Sequence, residues 1–257
     1  MNSVADHYER LLAEHYSWMF GVSPSAKAAE QRELLERLNV AGGELGVDLG
    51  AGSGFQSMAL ADIGFKRVLA IDTSRRLLGE LRSNCGSRPV TAIEDDMLHI
   101  LQHVEPGTAD VVVCMGDTLT HLPKRELVPQ LLSRVSAALR RNGRFVVTYR
   151  DLSTELRGAD RFIPVRSTAE KIMTCFLEYH PGVVMVHDLI HIHSGEMRST
   201  PEAARSTSES AWQLAKSCYP KLRLAVDDVC RELSQAGLHV YARENVRGMS
   251  ILAAQKV

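Results

Sequence analysis

The chain has 257 residues, 45% hydrophobic and 24% charged, with 30 Lys plus Arg against 31 Asp plus Glu and a formal charge of −1. That length and composition fit one large α/β domain, or a domain with a sub-domain, and exclude global disorder. The near-neutral balance argues against nucleic acid as a partner, since a broad footprint shows as strong basicity.

The N-terminal residues lack the apolar core of a secretory leader, and no run approaches the roughly 20 apolar residues of a membrane span. The five cysteines, Cys85, Cys114, Cys175, Cys218 and Cys230, are scattered and form no C-x-x-C. They suit the reduced thiols of a cytoplasmic protein, with no membrane partner, better than a disulfide framework or zinc site.

Two helical segments are expected first. One covers Ser3 to Phe20. The other starts at Ser23-Pro24, carries Leu34, Leu35 and Leu38 at helical spacing, and stops near Gly42-Gly43. Strands and helices then alternate. Leu45–Leu49 reads as a strand, Phe55–Ile63 as a helix, Arg67–Ile71 as a strand and Ser74–Arg82 as a helix. Pro89–Ile93 and Ala109–Met115 are further strands, Lys124–Arg141 a long amphipathic helix ended by Asn142-Gly143, and Arg144–Tyr149 a fifth strand. Near-continuous apolar strands separated by helices indicate a parallel sheet covered on both faces.

From Asp151 to Pro220 the rhythm changes. Lys171–Tyr179 and Val183–His193 form an expected antiparallel hairpin around His180-Pro181-Gly182. Ser199–Ser210 reads as a mobile loop and Trp212–Tyr219 as another strand. A helix over Val226–Gln235 and strands at Leu238–Ala242 and Ser250–Gln255 close the chain. The expected organisation is a helical cap over 1–43, a core over 44–151 and 221–257, and an insertion over 152–220.

The main chemical signal is Val47-Asp48-Leu49-Gly50-Ala51-Gly52-Ser53-Gly54, which leaves a strand and enters a helix. Its glycines permit positive φ and close approach of a ligand to bare backbone. The spacing is G-x-G-x-G, neither the dinucleotide G-x-G-x-x-G nor a phosphate loop ending in G-K-[ST]. Asp48 would repel a pyrophosphate and suits an ammonium group or a hydrogen-bonded network. Asp72, at the end of the next strand, stands about 20 residues past the glycines, where an acid accepts both ribose hydroxyls. Asp95-Asp96-Met97 follows the third strand, where an acid accepts from an adenine amino group. Three loops at the carboxyl ends of consecutive parallel strands thus converge on one crevice.

Residues Glu44–Asp151 and Val226–Val257 resemble the class I S-adenosylmethionine-dependent methyltransferases. The resemblance implies a Rossmann-like seven-stranded sheet with an antiparallel last strand, and S-adenosyl-L-methionine as cofactor. It implies donor contacts from Gly50, Gly52, Gly54, Asp72, Asp96 and Met97, and Tyr16, Asp48, Ala51, Thr73, Met115 and Gly116 are further candidate donor contacts. The loop Gly116-Asp117-Thr118-Leu119-Thr120-His121-Leu122 is similar in part to the Gly-Asn-Ser-Phe-x-His-Leu segment of glycine and sarcosine N-methyltransferases, with Asp117 in place of Asn. That likeness implies a small-molecule acceptor and leaves an amine acceptor open; a monomer or homodimer is expected. An Asn/Asp-Pro-Pro-aromatic tetrad, common in enzymes that methylate base or glutamine amino groups, is absent after the fourth strand.

Candidate acceptor-side catalytic residues are His121, Tyr149 and Arg150. His121 suits a general base or a structural histidine. Tyr149-Arg150 ends the fifth strand, where Arg150 either pairs with a substrate carboxylate or forms a surface ion pair with Asp151. His15-Tyr16-Ser17-Trp18-Met19 is an aromatic patch that either folds over the donor or packs as an ordinary helix face. Period two puts His187, His191 and His193 on one strand face and Val184, Val186, Ile190 and Ile192 on the other. With no Cys or acid at ligand spacing in sequence, no metal is expected, and the histidine face reads as a pocket lining or a solvent face.

Overall fold

The computed structural model describes residues 3–193 and 212–257. The chain divides into two compact units, one comprising Met1–Gly21 and Glu155–Pro220, the other Val22–Thr154 and Lys221–Val257.

In the first unit, helix α1 (Val4–His7) passes through a π-helical turn at Tyr8–Leu12 into α2 (Ala13–Met19). Ser3 caps α1 reciprocally with Asp6, the Ser3 hydroxyl accepting from Asp6 N and the Asp6 carboxylate from Ser3 N. The expected single helix is therefore continuous but widened by one π turn.

Four antiparallel strands follow: β6 (Phe162–Ser167), β7 (Lys171–His180), β8 (Val183–His193) and β9 (Trp212–Leu222), in that spatial order. The hairpin is where the His180-Pro181-Gly182 signal places it, with His180 opposite Val183. β6 is not among the elements expected from the sequence, and it contains Pro164. It lies at the sheet edge and carries a register shift at Pro164/Arg166, so the missing N–H disturbs no inner ladder. The loop expected at Ser199–Ser210 lies outside the described residues.

Strand β8 alternates as its period demands, with Val184, Val186 and Ile190 buried. Asp188 falls on that same buried face. Its carboxylate meets His7 Nε2 at 2.9 Å and accepts from Cys175 Sγ at 2.8 Å, while the His7 ring stacks on Tyr219. On the opposite face His187 pairs with Glu178 of β7 at 3.0 Å, and His193 lies edge-on to Trp212. An acid thus does stand beside the histidines, supplied across the sheet. Among the described residues no group of His, Cys, Asp and Glu is arranged to hold a metal ion.

The second unit opens with α3 (Pro24–Arg37), whose N-cap Ser23 accepts from Ala26 N and whose Leu35 is fully buried. Residues 22–43, grouped by sequence with the first helix, belong instead to this unit. The reason is packing: Leu35, Leu38 and Val40 share one apolar cluster with Leu60, Val68 and Val113.

Strands β1 (Leu45–Leu49), β2 (Arg67–Asp72), β3 (Val90–Glu94), β4 (Ala109–Cys114) and β5 (Leu139–Tyr149) alternate with α4 (Phe55–Ile63), α5 (Arg75–Cys85), the short α6 (Ile100–His103) and α7 (Leu127–Ala138). Helix α8 (Val226–Gln235) leads to β10 (Leu238–Val246) and β11 (Met249–Lys256). The spatial order is β10-β11-β5-β4-β1-β2-β3, and β11 runs antiparallel to both its neighbours. β1 to β5 pair in parallel.

Helix α7 ends three residues earlier than expected. Leu139 is already extended and pairs with Ala109, and the register then slips before Val111 pairs with Arg144. Asn142-Gly143 therefore turns inside a strand, with Asn142 at φ 63°, and does not cap a helix. Among the described residues no helix is long and apolar enough to cross a membrane.

Candidate active site

The glycine loop between β1 and α4 is built by its backbone. Gly50, Gly52 and Gly54 have φ of 70°, 53° and 92°, values open to glycine at little cost. Gly50 N and Ala51 N both donate to Ile71 O of β2, so the loop folds back on the neighbouring strand. Asp72, at the tip of β2, reaches across with one oxygen accepting Gly52 N at 2.8 Å and the other Ser74 N at 2.8 Å. Asp72 thus shapes the loop from the neighbouring strand tip, and Thr73 lies between Asp72 and Ser74 in the chain.

Asp48 is buried beneath the loop and accepts from Ser57 Oγ at 2.6 Å. Burial pushes its carboxyl up to about 7, and the nearby Asp72 charge adds to the rise against the Ser57 hydrogen bond.

At the tip of β3 the two acids divide their tasks. Asp95 accepts from Asp96 N, His99 Nδ1 and His103 Nε2, each within 2.8 Å. The hydrogen bonds from His99 and then His103 hold its carboxyl down at about 2. Asp96 caps the 3-10 turn Met97–His99 through Leu98 N.

The β4 loop lies directly against the glycine loop. A Cβ added at Gly50 would stand 2.2 Å from Thr118 Cγ2, and Thr118 is itself held by its hydroxyl on Met115 O. Gly116 N donates to Thr148 Oγ1 and Asp117 N to Thr148 O, tying this loop to β5. Met115 is buried within the apolar cluster that includes Leu35 and Val113.

The acceptor-side candidates separate. His121 sits half-buried at the end of the 3-10 turn Thr118–His121. Tyr149 is fully buried, and desolvation followed by the Asp151 charge drives its hydroxyl well above the usual phenol range. Asp151, Cys230 of α8, Arg243 and Arg125 are its electrostatic neighbours.

Arg150 does not pair with Asp151, whose carboxylate instead accepts Ser153 N and Val226 N. It pairs with Asp117 at 2.5 Å, as does Lys221 at 2.9 Å. Lys221 carried no sequence signal, and Asp117 was visible only as a departure from Asn. Tyr16 belongs to the other unit, where it packs edge-on against Phe20 and joins the cluster of Leu11, Leu12, Met173 and Ile190.

A seven-stranded sheet with β11 inserted antiparallel between β5 and β10, and a glycine loop after its central strand, is the class I methyltransferase fold. Residues 47–143 match the family model described as a methyltransferase domain. A glycine/sarcosine N-methyltransferase from Parasynechococcus marenigrum (strain WH8102) is 27% identical over 158 residues, which is 60% of this chain and 55% of that protein. The chain thus spans about half the length of that relative.

An S-adenosylmethionine-dependent methyltransferase from Clostridium acetobutylicum superposes with TM-score 0.70 at 14% identity over 97% of this chain and 98% of its own. CalS10, an amino pentose methyltransferase from Micromonospora echinaspora solved with the donor bound, superposes with TM-score 0.69 at 15% identity over 96% of this chain and 97% of its own.

Proposed function

We propose that the chain is an S-adenosyl-L-methionine-dependent methyltransferase that acts on a nucleophilic N, O or S atom of a small-molecule acceptor. The observation that carries this reading is the tie from Asp72 to Gly52 N, which sets an acid from one strand tip against the glycine loop of the next. The donor set suits the nucleoside: Asp72 and Asp96 are acceptors matched to ribose hydroxyls and an adenine amino group, and Asp48 is an acid matched to an ammonium. Asp48, buried under the same loop, would oppose a phosphate.

The donor, when bound, supplies a methyl group activated on a positive sulfur. The protein's part is orientation and exclusion of water, which together lower such a barrier by up to about 7–11 kcal/mol. Gly50 to Gly54 fix the donor's path along the backbone, Asp72 and Asp96 fix its nucleoside end, and Arg150 and His121 stand on the acceptor side. His121 is the candidate to take the proton that the acceptor sheds as its new bond to carbon forms.

The test is turnover. Purified protein with a methyl-deuterated donor and a small-metabolite extract is expected to yield one product class heavier by the labelled methyl group. Donor binding with no labelled product from any extract would reduce the chain to a binding protein and refute the reading.

A further inference from the structure

The loop after β3 is gripped by two histidines that have no part in the proposed donor contacts. Asp95 Oδ1 accepts Asp96 N at 2.8 Å and His99 Nδ1 at 2.7 Å, and its Oδ2 accepts His103 Nε2 at 2.7 Å. A carboxylate only accepts, so each ring nitrogen turns an N–H toward it. Both oxygens are therefore held, Oδ1 by His99 and Oδ2 by His103 of α6. The hydrogen bonds from His99 and then His103 hold the Asp95 carboxyl at about 2, so it stays an acceptor throughout the neutral range.

The grip extends beyond one residue. Asp95 N donates to Asp72 O at 3.1 Å, which ties the loop to the tip of β2. Arg134 of α7 donates to Leu98 O at the other end of the loop.

Within this frame the backbone donors are taken in order. Asp96 N goes to Asp95 Oδ1, Leu98 N to Asp96 Oδ1 at 2.8 Å, and His99 N to Asp96 O at 2.8 Å. Met97 N–H and Asp96 Oδ2 take part in none of these bonds. One acceptor and one donor from consecutive residues match a base edge that carries an amino group beside an unprotonated ring nitrogen. A 6-oxo base, with a ring N–H beside a carbonyl, presents the reverse order. With Asp96 N–H released, a second donor would stand on the loop to serve that carbonyl.

Resting on the assignment of Asp96 and Met97 to the base, we propose that Asp95, held by His99 and His103, is a positioning residue for base selection: by keeping Asp96 N–H occupied it leaves the loop one donor and one acid oxygen, so that the site takes a 6-amino purine nucleoside and rejects its 6-oxo counterpart.

The experiment is calorimetric titration of the full-length protein with S-adenosylhomocysteine and with S-inosylhomocysteine, which differ only at that base edge. Wild type is expected to prefer the adenine compound by roughly thirtyfold or more, because reversing a donor and an acceptor leaves both protein groups unpaired. Asp95→Ala should weaken the adenine compound about tenfold and cut the preference at least fivefold. His99→Ala/His103→Ala leaves the carboxylate in place but ungripped and should cut the preference at least threefold. With these side chains 48% and 25% exposed, the double variant decides the outcome if Asp95→Ala does not fold. Asp95→Asn keeps an oxygen for Asp96 N and should retain the preference to within twofold. Asp72→Ala, a loss on the ribose side, should weaken both compounds alike.

A preference unchanged in both Asp95→Ala and the double histidine variant overturns the proposal, since a merely structural Asp95 would weaken the two compounds equally. Wild type that binds both compounds equally tightly also overturns it, while leaving the donor assignment in place. Wild type that binds neither overturns the donor assignment itself.

Discussion

Replacing Gly50 by Ala tests how the two loops at the strand tips are joined. The added Cβ would lie 2.2 Å from Thr118 Cγ2 and 2.6 Å from its Oγ1, at a backbone φ of 70°. A side chain in that backbone region costs about 1–2 kcal/mol. Relieving the overlap means turning Thr118, which breaks its hydrogen bond to Met115 O at a further cost of about 1 kcal/mol. Loss of roughly 2–3 kcal/mol in urea unfolding is therefore expected. Affinity for S-adenosylhomocysteine should fall at least tenfold in calorimetry, because Gly50 and Gly52 move together. The double variant Gly50→Ala/Thr118→Ala removes the two shortest contacts but leaves the Thr118 Cβ at 2.9 Å and the backbone strain, so it should recover part of the loss relative to additive single effects. A Gly50→Ala protein within 0.5 kcal/mol of wild type and with unchanged nucleoside affinity would show that the β4 loop does not seal the glycine loop.

Three further outcomes follow from individual residues. Asp48 has a native carboxyl near 7 against about 3.9 in an unfolded chain, so the folded protein holds a proton that the unfolded one has lost. Stability therefore declines as pH rises from about 4 to 7, by at most about 4 kcal/mol, and levels off above; Asp48→Asn should flatten that slope, and an unaltered pH profile of the urea midpoint would exclude the assignment. Asp72→Ala loses the Gly52 and Ser74 anchors together with the proposed ribose contact, and should weaken donor binding at least tenfold, about 1.4 kcal/mol; equal affinity would displace the ribose from Asp72. Asp188→Ala leaves buried His7 and half-buried Cys175 without their shared acceptor and should cost about 3 kcal/mol, whereas His7→Leu/Asp188→Leu should recover part of it; a double variant no better than the single would mean the pair matters for shape alone.

The parts of this fold that sequence reveals are those decided locally. β1, β2 and β4 read as strands because both faces are covered, and the β7–β8 hairpin is marked by His180-Pro181-Gly182. The glycine loop is legible for the same reason: its positive φ values demand glycine at fixed spacing. β6 escaped because an edge position excuses Pro164, and the α7–β5 boundary slipped because Asn142-Gly143 turns alike at a helix end or in a strand bulge. Least legible are pairs made across the chain. Lys221 meets Asp117 over 104 positions and Asp188 meets His7 over 181, and neither leaves a periodic trace. Period two did put position 188 on the buried face, so a lone acid among Val184, Val186 and Ile190 was the available signal for a partner elsewhere.

The central claim is that the turns after β1, β2 and β3 jointly hold an adenosyl sulfonium. Isothermal titration of the purified chain with S-adenosylmethionine and S-adenosylhomocysteine tests it directly. A single saturable site with Kd on the order of micromolar, about −8 kcal/mol, is predicted for both. No heat of binding and no thermal stabilisation with either nucleoside at millimolar concentration would contradict it.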